Sequence, residues 1–195
     1  MWIKTVDLID GPAEEKLHAA KFAELAAIQP ATDDERFARA AALVQLGRFN
    51  EARGDLQALL SDKRLGAAAA LELAMCEMRG VGGEKAALAL IEPVIETGGA
   101  EPAARLRALH LRALVAMRRV DMQAAVKDLL EASDGFEKLG LVAGTSQVSD
   151  SLGTVYATLG QVDQALGAYA RSLADKTVLG DLFGVPLAAH NRWSG

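Results

Sequence analysis

The chain has 195 residues, 51% of them hydrophobic, which supplies a core for one ordinary domain or one helical array. Its net charge of -5 argues against a general nucleic-acid or anionic-membrane binder, because both need a basic surface. Its one cysteine, Cys76, excludes an internal disulfide framework, and with no secretory signal and no apolar run of roughly 20 residues we expect a cytoplasmic protein without a transmembrane helix.

The first predicted element is an N-terminal segment, Met1 to Asp10, which carries the apolar residues Trp2 and Leu8. Gly11 and Pro12 then open a helix that we predict over residues 13–29. Because a stack of helices needs a polar outer face at each end, we interpret residues 1–32 as an N-terminal cap and helix.

The rest of the chain is rich in Ala, Leu, Glu and Arg, with Gly and Pro at intervals and only 5% aromatic residues. This composition is typical of many closely packed helices. Asp33 and Asp34 after Pro30, and Pro102 after Glu101, are helix start signals. The further predicted helices are 33–46, 49–61, 66–79, 84–97, 102–118, 121–139, 143–159, 162–176 and 183–192.

The turns between these helices repeat one another. The clearest copies are Leu46-Gly47-Arg48-Phe49-Asn50-Glu51-Ala52 and Leu159-Gly160-Gln161-Val162-Asp163-Gln164-Ala165, and weaker copies lie around Gly82 and Val120. In each copy an alanine follows the turn position by five residues, where a small side chain lets two helices touch. The pair Leu139-Gly140 also recurs forty residues later as Leu179-Gly180, which predicts a further turn there.

These segments resemble tetratricopeptide repeats, including the longer forty-residue variety, on Leu152, Gly153, Tyr156, Gly160, Ala165 and Tyr169. The resemblance implies an all-α fold of antiparallel helix pairs stacked in a right-handed superhelical solenoid. It also implies a single domain over residues 1–195. Its parts would be repeats at 33–66, 68–101, 106–145 and 146–185, and a partial repeat or cap at 186–195.

The resemblance further implies a concave groove lined by the first helix of each pair. The groove positions are Phe37, Ala41, Val44, Glu72, Cys76, Arg79, Arg107, His110, Leu114, Arg118, Gln147, Asp150, Ser151 and Thr154. Among them Arg79, Arg107 and Arg118 could bind a carboxylate-bearing peptide, since guanidinium holds carboxylate in a two-pronged fork. The alternative is that these arginines are solvated or paired with Glu72, Glu77 and Glu101.

Other patterns predict no chemistry. The run Arg79-Gly80-Val81-Gly82-Gly83-Glu84-Lys85 lacks the order of a phosphate-binding loop and is interpreted as a turn. The three histidines lie far apart, so we expect no metal site, and Cys76 between Met75 and Met78 is interpreted as a buried hydrophobe. We expect no catalytic residue and no cofactor.

The C-terminal end is predicted to leave apolar residues uncovered, with Leu182, Leu187 and Trp193 as a candidate homodimer interface, unless the chain is cut from a longer protein. The expected function is a non-catalytic scaffold that binds a protein or peptide of unknown identity. The Lys and Asn set of chaperone-tail-binding repeats is missing, since Phe37, Ala41, Glu72 and Cys76 stand at the matching positions. The alternative function is a regulatory or sensory arm of a larger signalling or transcription-control protein.

Overall fold

The computed structural model describes residues 22–80, 82–97 and 101–183, and only the backbone of residues 180–183. All regular secondary structure in these ranges is α-helical, which confirms the all-α fold class. The helices are α1 (Phe22–Ala26), α2 (Asp33–Gln45), α3 (Phe49–Leu59), α4 (Gly66–Met78), α5 (Glu84–Glu96), α6 (Pro102–Arg118), α7 (Met122–Lys138), α8 (Val142–Thr158) and α9 (Val162–Phe183). No helix of the described ranges is both long and apolar enough to cross a bilayer.

The predicted helix boundaries from 33 to 162 agree with the structure to within two residues. The C-terminal prediction is wrong, because α9 runs without interruption through Gly180 to Phe183 instead of ending at 176. A glycine inside a helix costs only about 1 kcal/mol, so it permits a turn without forcing one. The cap predicted at Met1 to Asp10 and most of the helix predicted at 13–29 lie outside the described residues.

The described helices group into two compact units. We call the described residues up to Leu111 the N-terminal unit and those from Arg112 the C-terminal unit. In the N-terminal unit α1 packs on α2, α2 on α3, α3 on α4 and α4 on α5. In the C-terminal unit α8 packs on both α7 and α9. Neighbouring helices in sequence are thus neighbours in space, as expected for helix pairs with short connections.

Four of the turns between the helices share one backbone geometry. A residue with positive φ ends the preceding helix at Gly47, Val120, Gly140 and Gly160, and Gly82, four residues after the end of α4, also has a positive φ. At Gly47, for example, the Gly47 N–H donates to the Val44 carbonyl (3.0 Å) and the Arg48 N–H donates to the Leu43 carbonyl (2.9 Å). This pair of backbone hydrogen bonds is the Schellman motif, which satisfies the last carbonyl groups of a helix. The four predicted turn positions therefore hold a left-handed residue.

The alanine that follows each predicted turn by five residues lies at a helix contact. Ala52, Ala87 and Ala125 have no exposed surface, and Ala165 is buried. Gly153 on α8 allows a similar approach, because a Cβ atom added there would lie 2.5 Å from the Tyr169 ring on α9. Small residues at these positions let the paired helices pack closely.

An Arg–Asp pair joins the two helices of one hairpin in each unit, and we call each pair a clasp. Arg39 on α2 donates from Nε and Nη2 to the two carboxylate oxygens of Asp55 on α3, at 2.7 Å each. Arg112 on α6 makes the same two bonds to Asp128 on α7, at 2.7 and 2.9 Å. In each pair the arginine and the aspartate are 16 positions apart in sequence, and a turn residue with positive φ, Gly47 or Val120, lies between them. Each clasp therefore fixes the register of its hairpin.

Candidate functional site

A pocket of about 340 Å³ lies in the N-terminal unit, where the α2–α3 turn meets the C-terminal end of α4. The left-handed Gly47 ends α2, so the chain turns there and Arg48 and Phe49 stand at the start of α3. α4 ends at Met78, and Arg79 occupies its C-cap position. The pocket residues are Gly47, Arg48, Phe49, Asn50, Glu51, Arg53, Cys76, Arg79 and Gly80. Because three arginines line it, we call it the arginine pocket.

Two of the three guanidinium groups already hold carboxylates. Arg48 donates from Nε and Nη2 to both oxygens of Glu51, at 2.6 and 2.5 Å. These hydrogen bonds raise the pKa of the Arg48 guanidinium and lower the pKa of the Glu51 carboxyl. Arg53 is half-buried; it pairs with Glu77 and also donates to the Cys76 carbonyl oxygen at 3.4 Å. The arginine pocket thus binds carboxylates within its own chain.

The third guanidinium, that of Arg79, is exposed and is held by an aromatic ring. Its Cζ atom lies 5.4 Å from the centroid of the Phe49 ring, within the range of a cation–π contact. It forms no ion pair with the described residues. A cation–π contact does not use up the N–H donors of the guanidinium, so they remain able to bind a ligand.

Cys76 forms part of the pocket wall but is almost fully buried, with 1% of its surface exposed. Burial, followed by the negative charge of Glu72, raises the pKa of the Cys76 thiol to about 11. The thiol is therefore protonated at neutral pH, and a thiolate nucleophile is not formed there.

The structure places three predicted groove residues in the interior instead of on an open surface. Glu72, Arg107 and His110 are 1%, 8% and 5% exposed. Arg107 on α6 donates to Glu72 on α4, and Glu72 Oε2 accepts no hydrogen bond from the described residues. A buried charge without an opposite charge beside it strongly destabilises a protein, which explains why the Glu72 carboxylate and the Arg107 guanidinium face each other. Burial, and then the positive charge of Arg107, lowers the pKa of His110 to about 4.

The remaining predicted groove residues are divided between the two units. Phe37, Ala41 and Val44 are buried in the N-terminal unit, where they contribute to the core. In the C-terminal unit Arg118 and Thr154 are exposed, while Leu114, Gln147 and Ser151 are half-buried. Asp150 pairs with Lys176, and Thr154 receives a 3.4 Å hydrogen bond from the Tyr169 hydroxyl. Of all the predicted positions, only Arg79 and Cys76 line the arginine pocket.

The candidate dimer interface falls largely outside the described residues. Leu187 and Trp193 lie beyond residue 183, and only the backbone of Leu182 is described. The preceding part of α9 does expose an apolar row at helical spacing, formed by Val162, Leu166, Tyr169 and Leu173. Tyr169 packs partly on Gly153, and the other three side chains of the row are more than half exposed.

Residues 22–80, 82–97 and 101–183 contain no group of three His, Cys, Asp or Glu side chains that could hold a metal ion. The glycine-rich run after Arg79 connects two helices, with Gly82 in the left-handed conformation. Its backbone thus forms the interhelical turn that the sequence predicts.

Sequence reasoning missed Arg48, Phe49 and Arg53 as site residues, because it used their segment only to define a turn. The available signal was an aromatic residue directly after Arg48 at a helix start, followed by a second arginine one turn later. Pairing that segment with Arg79 required the contact between α3 and α4, which no sequence spacing shows.

Comparison with known proteins supports the fold and no more. No protein-family model matches the chain, and the search of curated proteins gives no match. Among solved structures, the crystal structure of BtubC (BKLC) from P. vanneervenii is similar, with a TM-score of 0.61 and 20% sequence identity. The match covers 87% of this chain and 75% of that chain. At this identity the similarity shows that the two chains share an all-helical fold.

Proposed function

We propose that the chain is a non-catalytic scaffold of the tetratricopeptide-like kind that binds a segment of another protein, and that the arginine pocket is its contact site. The main support for this proposal is the Arg79 guanidinium, which is exposed, lies over the Phe49 ring and forms no ion pair among the described residues. Arginines and aromatic residues dominate the energetics of protein interfaces, because each contributes a large contact area and directed hydrogen bonds.

The fold is well suited to this role. The helix pairs use small buried residues such as Ala52 and Ala87 for their mutual packing. The residues at the turns and helix ends then remain at the surface, where their identity can vary without disturbing the core. The recurring turn geometry and the buried alanines support the resemblance to tetratricopeptide repeats.

The test is photo-crosslinking from two positions on α3. In one variant a photoreactive amino acid replaces Asn50, which lines the arginine pocket. In the control variant it replaces the exposed Gln57, which lies two turns further along the same helix. Each full-length protein is irradiated in a lysate of the source organism, with and without the Arg79→Ala substitution.

We expect a protein partner to be crosslinked from Asn50, not from Gln57, and to be lost with Arg79→Ala. Equal crosslinking from both positions, or capture that is unaffected by Arg79→Ala, would place the binding surface elsewhere and overturn the proposal.

A further inference from the structure

The charges around the arginine pocket differ from those of the whole chain. The protein has a net charge of -5, yet three arginines and a single glutamate line this pocket. Glu51 and Glu77 neutralise Arg48 and Arg53. One positive charge, that of Arg79, is therefore left for a ligand.

The helix ends at the pocket do not change this balance. The N-terminus of α3 lies at the pocket and favours an anion, and its N-cap residue Arg48 makes no side-chain capping bond. The C-terminus of α4 lies there as well and disfavours an anion to a similar degree. The two effects oppose each other, so the guanidinium of Arg79 decides which ligand is preferred.

The charge balance favours a carboxylate over a phosphate group. A carboxylate carries one negative charge and two oxygens in one plane, which match the two-pronged fork of a single guanidinium. A phosphorylated side chain carries about -1.5 to -2 charges, which one guanidinium does not neutralise. Arg48 and Arg53 are already paired and do not supply a second cation.

The size of the pocket limits what enters it. About 340 Å³ accommodates one or two side chains of a peptide and excludes a folded domain. The ring of Phe49 is half-buried and forms one wall, so the aliphatic part of an acidic side chain can pack near it.

From these observations we infer that the arginine pocket binds the side-chain carboxylate of a Glu or Asp residue in an extended segment of the partner protein. Arg79 donates two parallel N–H bonds to that carboxylate, and Phe49 holds the guanidinium in place from behind. This inference rests on the proposed scaffold function and specifies the chemistry of its ligand.

The test uses immobilised peptides that differ at one position. Twelve-residue peptides of varied sequence, amidated at the C-terminus, carry Glu, Gln or phosphoserine at the centre, and a fourth set carries Gln with a free C-terminal carboxylate. The full-length protein is applied as wild type, Arg79→Ala, Arg79→Lys and Arg119→Ala. Arg119 is the matched control, since it is also an exposed arginine directly after the last turn of a helix.

We expect the Glu peptides to bind the wild type at least about tenfold more tightly than the Gln peptides, and Arg79→Ala to remove that preference. Arg79→Lys should retain only part of it, because an ammonium group lacks the planar fork. Arg119→Ala should behave as wild type. Circular dichroism of each variant confirms that the fold is retained.

Three results would overturn the carboxylate inference: equal binding of Glu and Gln peptides, tighter binding of phosphoserine peptides, or a Glu preference that survives Arg79→Ala. Binding that requires only the free C-terminus would overturn the assignment to a side chain. The scaffold proposal is tested separately, through the crosslinking from Asn50, so its failure can be distinguished from a failure of the carboxylate inference alone.

Discussion

Arg39 and Asp55 meet through two parallel hydrogen bonds of 2.7 Å, one from Nε and one from Nη2, across the hairpin of α2 and α3. Asp55 is buried, and Arg39 extends a third bond to the Ile28 carbonyl oxygen at 3.2 Å. The arginine therefore connects α2, α3 and the loop after α1. The equivalent pair in the C-terminal unit is Arg112 with Asp128.

Breaking either clasp should destabilise the protein markedly. Asp55→Ala and Asp128→Ala each leave a partly buried guanidinium without its carboxylate, and we expect a loss of about 2 kcal/mol in the free energy of unfolding. Urea unfolding followed by circular dichroism measures this loss.

Asp134→Ala is the control for the clasps, because the Asp134–Lys138 pair is exposed on both sides. It should cost no more than about 0.5 kcal/mol. If the three variants lose similar stability, the clasps are ordinary surface ion pairs.

Val120 is the one described residue other than glycine with positive φ, at 62°. A β-branched side chain in this conformation is strained by about 1–2 kcal/mol, and 74% of Val120 is exposed, so little packing would be lost on its removal. We therefore expect Val120→Gly to raise the thermal midpoint of unfolding. Val178→Gly, an exposed valine inside α9, should lower the midpoint. A fall with both variants would refute the strain at Val120.

Gly153 and Tyr169 form a contact that excludes even one methyl group. Gly153→Ala places a Cβ 2.5 Å from the Tyr169 ring, and we expect a loss of about 1–3 kcal/mol by chemical denaturation. Gly167→Ala is the matched control, because no atom lies within 4 Å of its added Cβ, and it should be neutral or stabilising. In a Tyr169→Ala background the cost of Gly153→Ala should largely vanish; persistence of the full cost would point to another cause.

The sequence predicted the helices well because their limits depend on local signals. Glycine at most of the left-handed positions, alanine five residues later and the acidic helix start at Asp33 and Asp34 are all readable from the chain. The end of α9 was predicted wrongly. Leu179-Gly180 has the same sequence as Leu139-Gly140 at an interhelical turn, but it lies inside a helix. The difference depends on what the following residues can pack against, and local patterns do not contain that information.

The buried His110 should make the protein sensitive to mild acid. Its pKa in the folded state is about 4, against 6.5 for the ordinary side chain, so between these pH values the unfolded chain binds a proton that the folded chain does not. Stability should fall as the pH drops from 6.5, and by pH 4 this histidine alone should account for a loss of up to about 3 kcal/mol.

Urea midpoints of the wild type and of His110→Gln at pH 7, 5.5 and 4.5 isolate this effect. Other titrating groups change in both proteins, so the difference between them reports His110. We expect the wild-type advantage to shrink as the pH falls, whereas a constant difference would show that His110 accepts its proton without penalty.

The site was less predictable than the fold. Arg79 and Arg107 were expected to bind a ligand on one surface, with pairing to acidic residues such as Glu72 as the alternative, and for Arg107 the alternative is correct, because it is buried against Glu72. A repeat pattern indicates on which helix a residue lies, and it does not show whether the neighbouring helix supplies a counter-ion. The contact of Phe49 with Arg79 likewise depends on how α3 and α4 cross.

The buried thiol of Cys76 has a practical consequence for labelling. It is the only cysteine of the chain, and at neutral pH it is neither exposed nor ionised, so maleimide reagents should leave it unmodified. A single cysteine placed at the exposed Asn50 would then take up a dye at one defined position beside Arg79. The native chain thus accepts a fluorescent reporter of ligand binding without prior removal of its own cysteine.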